Sequence, residues 1–194
     1  AAFAINRRQA TPKGVVIGLN PNGPVDHRVP VLRVTAPNGK VRAILFGYAC
    51  HNTTLTAEFY RLSGDYAGVA QAEIERQVPG AIALFMQLCG GDQNPNPRSK
   101  LELAKQHGAE LSSAVMRVVH TPMQPVSGRL RASFLTGDLP FAPHTREQYQ
   151  QDLASSNKYI VSRAQQMLKL YDQGHAPRSL QYPVQALRFD KGFT

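Results

Sequence analysis

Two apolar runs, Val41–Phe46 and Ala81–Leu88, flank a segment with helical spacing, and this order constrains the fold more than any other feature of the chain. Asp65 can cap a helix that runs to about Gln77, with Tyr66, Val69, Ala70 and Ile74 on one face and Pro79-Gly80 as its stop. A strand, a helix and a second strand at this spacing read as a parallel crossover with both faces of the sheet covered. Each run also ends in a polar stretch. Tyr48-Ala49-Cys50-His51-Asn52-Thr53-Thr54 follows the first, and Leu88-Cys89-Gly90-Gly91-Asp92-Gln93-Asn94-Pro95-Asn96 ends the second. Open α/β sheets bind ligands at the carboxyl ends of their strands. The two stretches are therefore expected side by side, as half of an active site.

The flanking segments fill in an architecture. Residues 5–25 are rich in Pro, Gly and Asn around one short apolar run, Val15–Leu19, and read as loop, brief strand, loop. Val29–Val34 should pair with Val41–Phe46 through Pro37-Asn38-Gly39-Lys40, because Asn-Gly tolerates the positive φ of a tight reverse turn. Ser99 and Glu102 form a capping-box pattern before a helix whose Ala104, Gly108, Leu111, Val115 and Val118 share a face. Ser127–Leu139 has strand character, with Leu130, Ala132, Phe134 and Thr136 alternating against polar positions. Thr145 and Gln148 begin a long helix carrying Tyr149, Leu153, Ile160, Ala164, Met167 and Tyr171, which Gly174 ends. Pro140–His144 is the hinge candidate, and Leu180–Phe189 is a final strand.

A chain of 194 residues fits one ordinary domain. The expected fold is α/β, with a mixed, largely parallel central sheet covered by helices and residues 1–194 as a single domain. The chain opens on Ala1 and closes on Phe189–Thr194, which looks like a strand broken off, so it is expected to be a piece of a larger domain.

Composition narrows the classes of function. A mean hydropathy of -0.30 and 42% hydrophobic residues are those of a soluble globular protein. No apolar run approaches the roughly 20 residues of a membrane helix. The net charge of +9 would suit an acidic partner, but the basic residues, among them Arg7-Arg8, Arg129, Arg131 and Arg146, are scattered. Without an RNA-binding aromatic signature or zinc-finger spacing, no nucleic-acid partner is expected. The two cysteines, Cys50 and Cys89, sit at the two strand ends. They could form a bridge in an oxidising compartment or serve as two small buried hydrophobes.

The candidate site residues each carry two readings. His51, at a strand end, could ligate zinc through a neutral imidazole or be a hydrogen-bonded core residue. His27, His107, His120, His144 and His175 do not complete a His-x-His or His-Glu-x-x-His pattern, so any metal site in the chain is incomplete. Gly90-Gly91-Asp92 could present successive N–H groups to an anion or oxyanion, or be a tight loop with Asp92 and Asn94 bonded to their own backbone. Arg7 could clamp an oxyanion in a fork geometry or lie on a solvated surface.

Taken in order, Ile5-Asn6-Arg7, Cys50-His51-Asn52-Thr53-Thr54, Ser63-Gly64-Asp65 and Gly91-Asp92-Gln93-Asn94-Pro95-Asn96 resemble the neutral, non-lysosomal ceramidases. Members of that family are zinc-dependent amidases that cleave the N-acyl bond of ceramide, giving sphingosine and a fatty acid, on a mixed α/β catalytic domain. The resemblance implies that His51 binds Zn2+ and that Arg7 lies close to the reacting centre. It implies that Asp92 is the aspartate of the family's Gly-Asp-x-Ser-Pro-Asn turn; the backbone of Gly90 and Gly91 is expected to stabilise an oxyanion with Arg7. The other zinc ligands are expected outside this chain: an upstream His-x-His histidine, a tyrosine, and a glutamate toward which Pro183–Thr194 would lead. Asn94 stands where the family has its serine nucleophile, and an asparagine amide cannot form an acyl-enzyme. A zinc-bound water could attack instead, the substrate could differ from ceramide, or the protein could be catalytically silent. The resemblance further implies a lipid or acyl-amide substrate, assembly with the rest of the same catalytic domain, room for peripheral membrane contact, and a secreted or periplasmic location. The competing class is a non-catalytic binding module in which Asn94 recognises a ligand. The isolated piece is expected to be inactive.

Overall fold

A computed structural model describes residues 1–189. The chain, read from the sequence as one domain, clusters into two compact units, Ala1–Met123 and Gln124–Thr194. The last part of the Pro183–Thr194 expectation lies outside the described residues. The first unit contains, in chain order, strands β1 (Ala4–Thr11), β2 (Gly14–Asn20), β3 (Val31–Thr35) and β4 (Val41–Tyr48), helix α1 (Asp65–Gln77), strands β5 (Ile82–Gln87) and β6 (Gln93–Pro95), and helix α2 (Leu101–Val119).

The expected crossover forms. Gly39, at φ +80°, turns the chain between β3 and β4, and its N–H donates to Ala36 O at 2.9 Å. β4 and β5 then run parallel, in register from Ala43↔Ile82 to Tyr48↔Gln87. Ile44, Phe46 and Tyr48 of β4 and Ala83 of β5 join one apolar cluster with Tyr66, Ala70 and Ile74 of α1 and with Leu111 and Val115 of α2. Each large side chain buried there stabilises the unit by roughly 1.5–3 kcal/mol. Phe3 anchors the N-terminal segment to this core, its ring 4.8 Å from Tyr48 and 4.9 Å from Tyr66.

Two parts of the expected sheet are corrected. The large, largely parallel central sheet does not form: the described strands make sheets ordered β2-β1-β6 and β3-β4-β5, and a separate two-stranded one in the second unit. Only β4 and β5 are parallel; the other pairs are antiparallel. A parallel neighbour needs a long crossover returning to the same sheet, and β4-α1-β5 alone provides one. Nor are both faces of this sheet covered, since Ile82, Leu84 and Met86 are 60%, 47% and 46% exposed on the face turned away from the helices.

Three local expectations also change. The segment read as a loop before Val15 contains β1, which pairs on both sides, with β2 and with β6. The Ser99–Glu102 capping box is absent. Ser99 sits at φ +85°, its N–H is held by Thr54 O at 2.7 Å, and the helix begins after Lys100 without a side-chain cap. Cys50 is buried, Cys89 is exposed, and both are free thiols.

The second unit comprises β7 (Leu130–Pro140), α3 (Arg146–Asp152), α4 (Lys158–Asp172) and β8 (Ser179–Phe189). β7 and β8 form an antiparallel hairpin from Leu130↔Phe189 to Pro140↔Ser179. The Thr145–Gln148 capping box is present. The single long helix expected after it is instead two, because the Asn157 side chain accepts the Tyr159 N–H at 2.9 Å and starts a new one. Gly174, at φ +72°, follows its end as expected. No described helix is long and apolar enough to cross a membrane.

Candidate functional site

The two polar stretches meet where β4 and β5 end. The His51 N–H donates to Gln93 O at 2.9 Å, and the ring Nδ1 lies 2.8 Å from Gly90 O and 3.0 Å from Gln93 O. Both ring partners are acceptors, so Nδ1 carries the proton and Nε2 keeps its lone pair in the neutral imidazole. Metal-binding histidines commonly show this pattern, with the second ring N–H donated to a backbone carbonyl. The fit to a metal is partial. Among the described residues no group of three or more His, Cys, Asp or Glu side chains could hold an ion. The chain thus offers one ligand-ready nitrogen.

Gly90 makes the approach of the two stretches feasible. A Cβ on it would stand 2.5 Å from Cys50 N and 2.6 Å from the Ala49 carbonyl carbon, closer than atoms can pack. Its N–H donates to Leu88 O at 2.7 Å, and its carbonyl accepts from Gln93 N at 3.0 Å as well as from His51. That N–H is thus committed within the turn. The exposed Gly91 carbonyl accepts from Arg7 Nε at 3.2 Å, Arg7 Nη2 at 3.0 Å and Arg8 Nη2 at 3.2 Å. The Arg7 fork therefore closes on a backbone oxygen. The Arg7 N–H also donates to Asp92 O at 2.7 Å, tying β1 to the turn.

Asp92 faces an amide, with no histidine partner among the described residues. Its Oδ2 accepts from Asn6 Nδ2 at 3.1 Å; the same nitrogen donates to Pro24 O at 2.9 Å, and Asn6 Oδ1 accepts from Arg8 N at 2.8 Å. Asn6 is 2% exposed and knits β1, the 20s loop and the Asp92 turn together. Sequence reasoning gave it no role; its only signal was its place beside Arg7 in the first motif. Asn94 lies in β6 opposite Ile5, is 8% exposed, and its Oδ1 has no hydrogen-bond partner among the described residues. Thr54 Oγ1, fully buried, is likewise unpartnered.

The Ser63-Gly64-Asp65 motif proves to be a helix start. Ser63 Oγ accepts the Asp65 N–H at 3.0 Å, Asp65 Oδ1 accepts from Tyr66 N at 2.6 Å, and Asp65 Oδ2 accepts from Leu55 N at 2.8 Å. Asn52 Oδ1 takes the Ala67 N–H at 3.3 Å, and Tyr66 donates its hydroxyl to Cys50 O at 2.6 Å. Burial pushes the Cys50 thiol up to about 12, so it stays neutral at ordinary pH and is no nucleophile.

Neither a protein-family model nor a curated protein sequence matches the chain. Solved structures do, and the fold is one shared with neutral ceramidases. Similarity to the neutral ceramidase from Pseudomonas aeruginosa has a TM-score of 0.59 at 20% identity, over 85% of this chain and 33% of that one. Similarity to a ceramidase complexed with C2 has a TM-score of 0.57 at 20% identity, over 69% of this chain and 23% of that one. The matched region is thus 23% of one of these proteins and 33% of the other.

Proposed function

We propose that this chain is part of the catalytic domain of a ceramidase-like amide hydrolase acting on acyl amides of the ceramide type. The observation that carries the reading is the His51 imidazole held by the Gly90 and Gln93 carbonyls, in a fold shared with neutral ceramidases. His51 would contribute Nε2 to a zinc ion whose other ligands come from beyond this chain. Bound zinc would supply Lewis acidity at the amide carbonyl and a water acidic enough to attack at neutral pH. The chain's own residues would do the rest. The Gly90 and Gln93 carbonyls hold the imidazole in one tautomer and one orientation. The Arg7 guanidinium, bonded to the exposed Gly91 carbonyl, would turn to a developing oxyanion, in which the Gly90 N–H, committed to Leu88 O, takes no part. Asn94, 8% exposed in β6, would bond the substrate through its side-chain amide. Asp92, through Asn6, would keep β1 and hence Arg7 in register.

Asn94, an amide where the resemblance places a serine nucleophile, favours a second reading, a non-catalytic module that binds an amide without cleaving it. The full-length protein containing residues 1–194, loaded with zinc and assayed with ceramide and shorter acyl amides, separates the two. In a hydrolase, His51→Ala lowers kcat/KM by at least the roughly 10–100-fold typical of losing an outer-shell partner. Equal turnover by wild type and His51→Ala, or binding without turnover, leaves the binding module.

A further inference from the structure

The Pro140–His144 segment, a hinge candidate by sequence, is pinned at both ends within the second unit. Pro140 pairs with Ser179, and the Phe141 N–H donates to Arg178 O at 3.0 Å. At the other end the His144 carbonyl accepts the Tyr171 hydroxyl at 3.1 Å. The His144 ring packs on Tyr149 with centroids 4.2 Å apart. Its Nε2 lies 3.2 Å from Asp152 Oδ2, which also takes Arg163 Nη2 at 2.7 Å. A segment tied at this many points is a fixed wall, and it borders a cleft of about 510 Å³. That volume lies within the range of small-molecule sites.

The lining divides into two chemistries. Phe141, Met167 and Tyr171 give ring and thioether surface; Phe141 is 48% exposed, and Met167 and Tyr171 are half-buried. Arg146 and Arg178 are the guanidinium groups of the lining, and their states differ. Arg146 Nη2 donates to Asp172 Oδ1 at 2.7 Å, so its charge is answered. The exposed Arg178 side chain has no partner among the described residues. Glu147, the carboxylate in the lining, bonds its own N–H and the Thr145 hydroxyl, which hold it below the usual carboxylate range. An unanswered guanidinium beside aromatic and thioether surface fits one kind of ligand. We infer that the cleft binds a flat-ringed monocarboxylate, with its ring on Phe141 and Met167 and its carboxylate in the Arg178 fork. Aromatic faces and a methionine sulfur favour a ring, and the planar guanidinium matches a carboxylate oxygen for oxygen. Fixed walls keep the ordering cost of binding low. The inference does not rest on the hydrolase reading, since no residue of the 50s or 90s stretches lines this cleft.

Residues 1–194 contain no tryptophan, which favours reading binding from the emission of a naphthalene ring. The test titrates naphthoate and the neutral naphthylmethanol with the full-length protein, wild type against Arg178→Gln and Phe141→Ser. Wild type is expected to bind the carboxylate at least about fivefold tighter than the alcohol, the upper end of what an exposed ion pair contributes. Arg178→Gln should remove that preference and leave the affinity for the alcohol unchanged, which also reports the cleft as intact. Phe141→Ser should weaken both ligands at least about threefold, through lost apolar contact, and leave their ratio unchanged. Equal affinity of wild type for the two ligands, or binding of neither, overturns the inference. So does a preference that survives Arg178→Gln, or a pair of affinities that Phe141→Ser does not change.

Discussion

Gly90 and Gly91 are neighbours of identical chemistry, yet the fold makes opposite demands on them. At Gly90 a methyl group would collide with the backbone of Ala49 and Cys50, and backbone cannot rotate aside as a side chain can. At Gly91 a Cβ would meet nothing within 4 Å, and the residue's φ is not in the left-handed region. Gly90→Ala is therefore expected to destabilise the protein by about 1–3 kcal/mol, the usual cost of overpacking. Gly91→Ala should stay within about 0.5 kcal/mol of wild type. Denaturant midpoints at equal slope compare them, and equal shifts for the two would mean that the 90s turn does not press on the Ala49-Cys50 backbone. The pairing of the two motifs was legible at this scale because glycine and histidine stood at predicted strand ends. Asn6 was not. Its burial is driven by hydrogen bonds to Pro24, Arg8 and Asp92, and hydrophobic periodicity is blind to a polar residue that is buried because it is fully bonded.

Elements were legible where local chemistry and tertiary packing agreed. The Asn38-Gly39 turn, α1 and β5 all follow from turn residues, helical spacing and an apolar run, and all three form. β1 was hidden because Asn6-Arg7-Arg8-Gln9 lacks the apolar alternation of a half-buried strand; it is a strand because β2 and β6 pair with it on both sides. The break between α3 and α4 was signalled by Ser155-Ser156-Asn157, three residues that compete with helix through their own side chains, but the apolar spacing of Tyr149 to Tyr171 ran through it. The entry to α1 offers a test of how elements position the site. Asp65 holds the Leu55 N–H with one oxygen and the Tyr66 N–H with the other, so the loop leaving His51 is tied to the start of the helix. Asp65→Ala strands the Leu55 donor and should cost about 1–3 kcal/mol. Asp65→Asn keeps one acceptor oxygen and should cost less. Chemical denaturation ranks them, and an alanine variant as stable as wild type would show that the loop is held by something other than this carboxylate.

For the whole molecule, what the chain presents to a metal decides what it can do alone. His51 offers one neutral nitrogen, and the described residues gather no further cluster of His, Cys, Asp or Glu to join it. A tetrahedral zinc site worth roughly 10–16 kcal/mol draws on several ligands held at once; a single imidazole supplies a small part of that. The bare sheet face of Ile82, Leu84 and Met86 fits the same picture, because parallel strands ordinarily carry cover on both sides. Residues 1–194 titrated with zinc in a calorimeter should therefore show weak binding that His51→Ala barely changes. The full-length protein should show a tight stoichiometric site that the same substitution abolishes. Tight binding by residues 1–194 that disappears in His51→Ala would mean the chain folds a complete ligand set around position 51, against the arrangement described here. A full-length protein whose zinc affinity ignores His51 would remove the imidazole from the metal and the hydrolase proposal with it, leaving the binding-module reading of Asn94.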